Sequence, residues 1–219
     1  MKITFQDIKE SSIVQTYIKK ADESLIALGF TEHSFAHVTK VAEAAGDILT
    51  TLCHDEREVE LAKIAGYLHD IGNVINRVEH AQSGAVMAFR ILDQMGAEPE
   101  EIATIITAIG NHDEATAFPV NAVAAALILA DKTDVRYTRV RNQEISNFDI
   151  HDRVNYAVKE NELEVVKDSH IELKLLIDTR MSAVMDYFEI FLDRMILCRK
   201  AANKLGLEFR LQINGQRMI

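Results

Sequence analysis

The sequence predicts a mainly α protein, a helical bundle followed by a small C-terminal α+β appendage of antiparallel strands plus one long helix. Three observations carry that expectation. Apolar residues recur at helical spacing through roughly the first 140 positions, and Ser, Asp, Pro and Gly stand where such segments should start and stop. Past about position 150 the pattern changes to short, β-branched, alternating runs. Of the 219 residues 48% are hydrophobic and 26% charged, with only two prolines and nine glycines, a balance that buries a core and argues against long linkers. The boundaries are placed at 1–145 for the helical domain and 150–219 for the appendage.

Each element follows from its own residues. Ser12 caps a first helix carrying Ile13, Val14, Tyr17, Ile18, Ala21, Leu25 and Leu28, with Gly29 as its stop. Thr31 opens a second helix that runs through His33, His37, Val41, Ala45 and Leu52. Asp55 with Glu58 resembles a capping box for a third, whose inward face is Leu61, Ile64, Ala65 and Leu68 and whose end is Gly72. A fourth spans about Ala81 to Met95. Pro99 suits the first position of a fifth, which stops at Gly110, and an Ala- and Leu-rich sixth runs from about Asn121 past Asp131. In the appendage, VNYAVKE, ELEVVK and IELKLLID read as an antiparallel meander turning at Glu160-Asn161 and Asp168-Ser169. A long helix from about Ser182 to Leu205 and a last strand, EFRLQI, complete it. The stripe of Met181, Met185, Phe188, Phe191, Leu192 and Met195 on that helix reads as core rather than interface.

Composition narrows the function. No apolar run approaches the ~18–20 residues of a membrane span, and MKITFQDIKE carries charges where a signal peptide is apolar. Cys53 and Cys198 lie far apart and form no CxxC, which disfavours a disulfide framework or a thiolate zinc site. A cytoplasmic protein is expected. The formal net charge of −10 disfavours a nucleic-acid polymer or an anionic membrane as partner. Residues 1–130 hold 9 Lys and Arg against 19 Asp and Glu, an acidic region suited to recruiting cations. A solvated acidic surface accounts for the same numbers.

Six of the eight histidines fall between positions 33 and 112, and their placement says more than their number. His33 and His37 are four apart, as on one helix face. His69-Asp70 comes at a helix end before Ile71-Gly72, and His112-Asp113 follows Gly110 at another. Asp131 closes an apolar stretch, Leu127 to Ala130, where an unpaired carboxylate is costly. A divalent metal is one partner for it, and Arg136 or another arginine is the other. His54, His151 and His170 read as surface residues.

His37, His69-Asp70 and Asp131 together resemble the H…HD…D pattern of the HD superfamily of metal-dependent phosphohydrolases. GYLHDIGN (Gly66 to Asn73) is similar to its central motif, HVTKVAEAA (His37 to Ala45) to its first-histidine helix, and LADKTD (Leu129 to Asp134) to its last-aspartate helix. The resemblance covers roughly residues 20–140. It implies an HD-type bundle in which His37, His69, Asp70 and Asp131 hold a first metal. It also implies a second metal bridged by Asp70, with His80 and His112 as extra ligands and His33 and Asp113 as further candidates. Asp70 and His80 are the residues assigned to catalysis. Asn73 stands where the HD-GYP branch has a lysine, and no GYP motif follows.

An imidazole and carboxylate set without thiolate favours Fe, Mn, Zn, Co or Ni over Mg or Ca, with one or two ions bound. The implied reaction is hydrolysis of a phosphoester or phosphoanhydride of a nucleotide or small phosphorylated metabolite by a metal-activated water. Lys132, Arg136 and Arg139 fall at i, i+4, i+7, which on a continuing helix makes one cationic stripe for an anionic substrate, with Arg141 close by. Asn73 and Arg77, beside the HD turn, and Lys132 and Arg136 are the expected substrate contacts. A non-catalytic metal- or nucleotide-binding regulatory module, dimerising through the C-terminal region, is the second expectation.

Overall fold

The periodicity of the first 140 residues folds as seven helices in a computed structural model that describes residues 2–114, 116–142 and 144–219. They are α1 (Phe5–Glu10), α2 (Ser12–Ala27), α3 (Phe35–Thr51), α4 (Glu56–Leu68), α5 (His80–Gln94), α6 (Pro99–Gly110) and α7 (Ala122–Lys132). α1 is an element the sequence reading omits: Thr4 and Asp7 cap it reciprocally, a short-range signal ahead of only six residues. Ser11, not Ser12, caps α2. The second helix starts later than expected, because Ser34, rather than Thr31, supplies the cap of α3 through a bond to the Ala36 amide. His33 therefore lies before the helix and not on its face. Asp55 caps α4 as expected, accepting from the Arg57 and Glu58 amides, while the Glu58 side chain bonds His54 instead.

α7 is the centre of the bundle. Val123 to Lys132 are all buried, so this helix is enclosed on every side, and α3, α4, α6 and the C-terminal helix pack around it. The two ionisable residues at its end, Asp131 and Lys132, are carried into the interior by that enclosure. The chain leaves the helix at Thr133, which overturns the cationic stripe: Arg136 is extended backbone and Arg139 lies in a separate 3-10 turn.

Two glycines set the closest approaches. A Cβ on Gly66 of α4 would lie 2.7 Å from the Cα of Ala42 on α3, so the two backbones touch. A Cβ on Gly72 would lie 2.0 Å from the His80 carbonyl oxygen, so the 3-10 turn Ile71–Val74 presses directly on the first turn of α5.

The appendage differs from the expected meander. VNYA of the first run is the last turn of α8 (Ile150–Ala157), capped by Asp149. Glu160-Asn161 is no turn but the interior of one long strand, β1 (Val158–Val166), which has a register irregularity between Val158 and Glu160. β1 pairs antiparallel with β2 (His170–Ile177), and the Asp168-Ser169 turn is present between them. The long helix α9 (Val184–Lys204) then crosses over, so β3 (Glu208–Ile213) lies parallel to β2. Asn214-Gly215, both at positive φ, turn the chain into a short β4 (Gln216–Arg217). The sheet order is β1-β2-β3-β4.

Ile171, Leu173, Leu175, Phe209, Leu211 and Ile213 bury one face of the sheet, and α9 packs there and against α7. The α9 stripe is mostly core, as expected, with Phe191 and Met195 buried, although Met185 and Leu192 are exposed. A single hydrophobic cluster runs from Ile3 to Ile213. Asn161 of β1 donates to the Val135 carbonyl at 2.9 Å, fastening the sheet to the segment that follows α7. No helix among the described residues is long and apolar enough to cross a membrane.

Gly72→Ala should lower stability by about 1–3 kcal/mol, because the added methyl meets backbone that cannot yield. Urea unfolding checks it, and an unchanged midpoint would show that the contact relaxes freely. The Arg57 bond to Glu101, at 2.6 Å from Nε, joins α4 to α6 and holds the carboxyl below its ordinary range. A lowered carboxyl stabilises fully above the usual value of about 4.3 and stops doing so as pH falls through the folded value. Wild type should therefore exceed Glu101→Gln by about 1 kcal/mol at neutral pH. The two unfolding midpoints should converge as the medium is acidified.

Candidate metal centre

Five helix ends meet at one buried point. α3 brings His37, the end of α4 brings His69 and Asp70, the start of α5 brings His80, the end of α6 brings His112, and α7 brings Asp131. All six are buried. Their rings form an edge-to-face series: His37 to His69 is 5.3 Å between centroids, His69 to His112 is 5.0 Å, and His112 to His80 is 5.0 Å.

The backbone and one carboxylate decide which nitrogen of each ring faces inward. His69 Nδ1 bonds the Gly66 carbonyl at 2.8 Å, His80 Nδ1 the Arg77 carbonyl at 3.0 Å, and His112 Nδ1 the Ile109 carbonyl at 2.6 Å. A carbonyl only accepts, so Nδ1 carries the hydrogen, and in the neutral ring Nε2 presents a lone pair. His37 Nδ1 bonds Asp134 Oδ2 at 2.8 Å with the same result. Burial opposes ionisation of Asp134, but the His37 bond and the Arg139 charge hold its carboxyl well below the usual range. Lys40 at 2.8 Å and Arg136 at 2.9 Å fix its other oxygen. Asp134 is the residue that sequence reasoning missed. Its signal was present in the quoted LADKTD segment, three residues after Asp131.

The inward atoms lack partners of their own. His37 Nε2, His69 Nε2 and Asp70 Oδ2 are buried with no hydrogen bond. The two oxygens of Asp70 face opposite ways: Oδ2 lies 3.3 Å from His69 Nε2 and 3.7 Å from His37 Nε2, while Oδ1 lies 3.5 Å from His80 Nε2. Asp131 Oδ1 is 3.3 Å from His37 Nε2 and 3.7 Å from His69 Nε2. His80 Nε2 and His112 Nε2 are 3.2 Å apart, two lone pairs in the neutral rings that need a positive charge between them. Two nitrogens bound to one ion at about 2.0–2.1 Å sit at about that separation. His37, His69 and Asp70 form one potential ligand group, His69, His112 and Asp131 a second, and Asp70, His80 and His112 a third. The donor set thus fits divalent metal, and unpartnered buried atoms are the observation that says so.

Charge agrees. Burial alone would lower His69, but Asp70 and Asp131 raise it to about 10, so the pocket calls for a cation. Burial works against ionisation of Asp70 and Asp131 as well, yet His69 beside Asp70 and Lys132 beside Asp131 hold both carboxyls well down. Lys132, and not Arg136, is the cation paired with Asp131, at 2.8 Å.

Of the remaining candidates, His33 stands against His37 with ring centroids 5.5 Å apart, outside the three groups. Asp113 is outside them too, though its charge is felt at His80. Asn73 is buried beneath the centre, donating to Asp70 Oδ1 at 2.9 Å, and is a positioning residue rather than a substrate contact. Arg136 is engaged with Asp134, Glu32 and Thr138 and does not line the cavity. Arg139 is buried, and Arg141 pairs with Asp22. His54 bonds Glu58 away from the centre. A cavity of about 240 Å³ opens over Asp70, His80 and Asp131, with Phe30, Arg77 and Lys132 in its wall and the exposed His151 at its rim.

Asp134→Asn should weaken metal binding about 10- to 100-fold, the usual effect of loosening a partner behind a ligating imidazole. Competition against a chromogenic chelator measures it, and an unchanged affinity would remove Asp134 from the centre.

The match to a protein-family model points the same way. Residues 31–153, more than half of the chain, match the HD domain family model. No curated protein matches the chain. A solved structure described as a predicted HD superfamily hydrolase, from an uncultured Thermotogales bacterium, is 26% identical, with 57% of this chain and 67% of that one covered and a TM-score of 0.46. The family match takes in every residue of the buried cluster and ends within α8, so this chain belongs to the HD-domain family.

Proposed function

We propose that the chain is a metal-dependent phosphohydrolase that cleaves a phosphoester or phosphoanhydride of a nucleotide or small phosphorylated metabolite with an activated water. The observation that carries this reading is the set of inward-facing, unpartnered atoms on His37, His69 and Asp70, beside an open cavity. His37, His69, Asp70 and Asp131 would hold one divalent transition-metal ion. His80 and His112 would hold a second, with Asp70 shared, since its two oxygens face the two histidine pairs. Bound there, such ions supply electrophilic activation of a phosphoryl oxygen and acidify a water, to a pKa near about 7 in well-studied zinc sites.

The protein's own residues do the rest. Asp70 is held by Asn73, which keeps the carboxylate turned toward both histidine pairs. His80 is oriented through its Nδ1, leaving Nε2 toward the cavity side of Asp70. Arg77, whose guanidinium lies over the Phe30 ring at 5.6 Å, and Lys132 line the cavity and attract a phosphate. α7 and the apolar helices behind it keep water from the inner side of the centre.

Protein loaded with manganese or iron should release phosphate from at least one member of a panel of mononucleotides, sugar phosphates and dinucleoside polyphosphates. Elemental analysis should find one to two ions per chain. Chelation and Asp70→Ala should each reduce turnover at least about 100-fold, with the variant also losing metal. A metal-replete protein that binds members of the panel tightly and hydrolyses none would replace this reading with a non-catalytic binding module.

A further inference from the structure

The cavity wall is not made by the family-matched residues alone. Phe191 and Arg194 of α9, far beyond position 153, line it together with Arg77. Arg194 is an arginine held ready. Its Nε pairs with Glu114 Oε1 at 2.5 Å, and its guanidinium carbon lies 4.6 Å from the Phe191 ring centroid. The same Glu114 carboxylate takes Lys132 at 3.2 Å, so one acid braces two cations beside the centre. Among the described residues, the Nη1 and Nη2 groups of Arg194 engage no acceptor. A guanidinium with its inner edge and face occupied and its outer fork unengaged is built to take two oxygens of one anion.

We propose that Arg194 is a specificity-determining residue, closing the cavity over the phosphate of a compact phosphomonoester. Recognition of the substrate, begun by Arg77 and Lys132, is then completed by the C-terminal segment, and metal binding is supplied by the bundle. The inference rests on the phosphohydrolase reading for its substrate and stands apart from it in its test. A volume of about 240 Å³ is below the ~300–1,000 Å³ that encloses drug-sized ligands, which favours a monoester over a dinucleotide. Arg77 and Arg194 both line the cavity and are separated in sequence by more than a hundred residues, so the bundle supplies one arginine and α9 the other.

The test uses the full manganese-loaded chain and inorganic phosphate, followed by calorimetry. Arg194→Ala should weaken phosphate binding between about 10- and 100-fold, the range of a lost charged hydrogen-bonded pair. Metal content and unfolding midpoint should stay unchanged. Arg194→Lys should recover only part of the affinity, because an ammonium has no fork. Wild-type phosphate affinity in a folded, metal-replete alanine variant overturns the proposal, as does a wild type that binds no phosphate. Should the alanine variant fail to fold, Arg194→Gln takes its place under the same criterion. If wild type binds phosphate through Arg194 but turns over no ester, the hydrolase reading fails and the assignment of Arg194 stands.

Discussion

Two carboxylates buried among imidazoles cannot be left without positive charge, and that demand organises the bundle. Asp70 and Asp131 lie where water cannot solvate them, and Lys132 answers only part of their charge. The four rings around them are anchored from behind, so none can rotate to offer a hydrogen freely. A well-packed apolar substitute would be easier to bury than this arrangement. Its persistence in the interior makes sense as a seat for ions, with α7 as the rigid post that carries Asp131 inward.

The helices answer to the centre as much as the centre answers to them. His69 and His112 both follow from the last turn of a helix, where the carbonyl three residues earlier, Gly66 or Ile109, takes the ring's Nδ1 hydrogen. Those carbonyls are among the ones a helix end leaves without intrahelical partners, so orienting the ligand and finishing the helix are the same bond. α5 begins differently: Glu79, at φ 57, has no capping side-chain bond and delivers His80 straight from a left-handed residue. That strained entry places His80 at the first position of α5, facing Asp70.

Much of this was legible in the residues, and the reasons for the failures are physical. Helix spacing and caps are local signals, and they located α2 to α7; the H…HD…D pattern marked four of the six cluster residues, and the family resemblance implied His80 and His112. The start of α3 was misplaced because Thr31 and Ser34 are both competent caps, and only the tertiary contacts of Glu32 with the segment around Arg139 choose between them. VNYAVKE has strand-like composition, yet its first half finishes a helix, since Asp149 caps α8 and burial of Val154 and Ala157 outweighs β propensity. The cationic stripe assumed that α7 continued past Lys132. Asp134, although it stands in the quoted LADKTD segment, and Arg194 were not read as site residues, because their roles depend on which distant side chain they meet, His37 across 97 positions in one case and Glu114 in the other.

The bare contact between Gly66 and Ala42 has a consequence for how this family member tolerates change. His37 stands five residues before one of them and His69 three after the other, so the gap between those imidazoles is referred to backbone atoms in direct touch. No interdigitating side chain mediates that distance, and drift in the composition of the surrounding core has no lever on it. Substitutions elsewhere in the bundle can soften or harden the protein while the aperture that grips an ion keeps its width, a ruler ground from main chain.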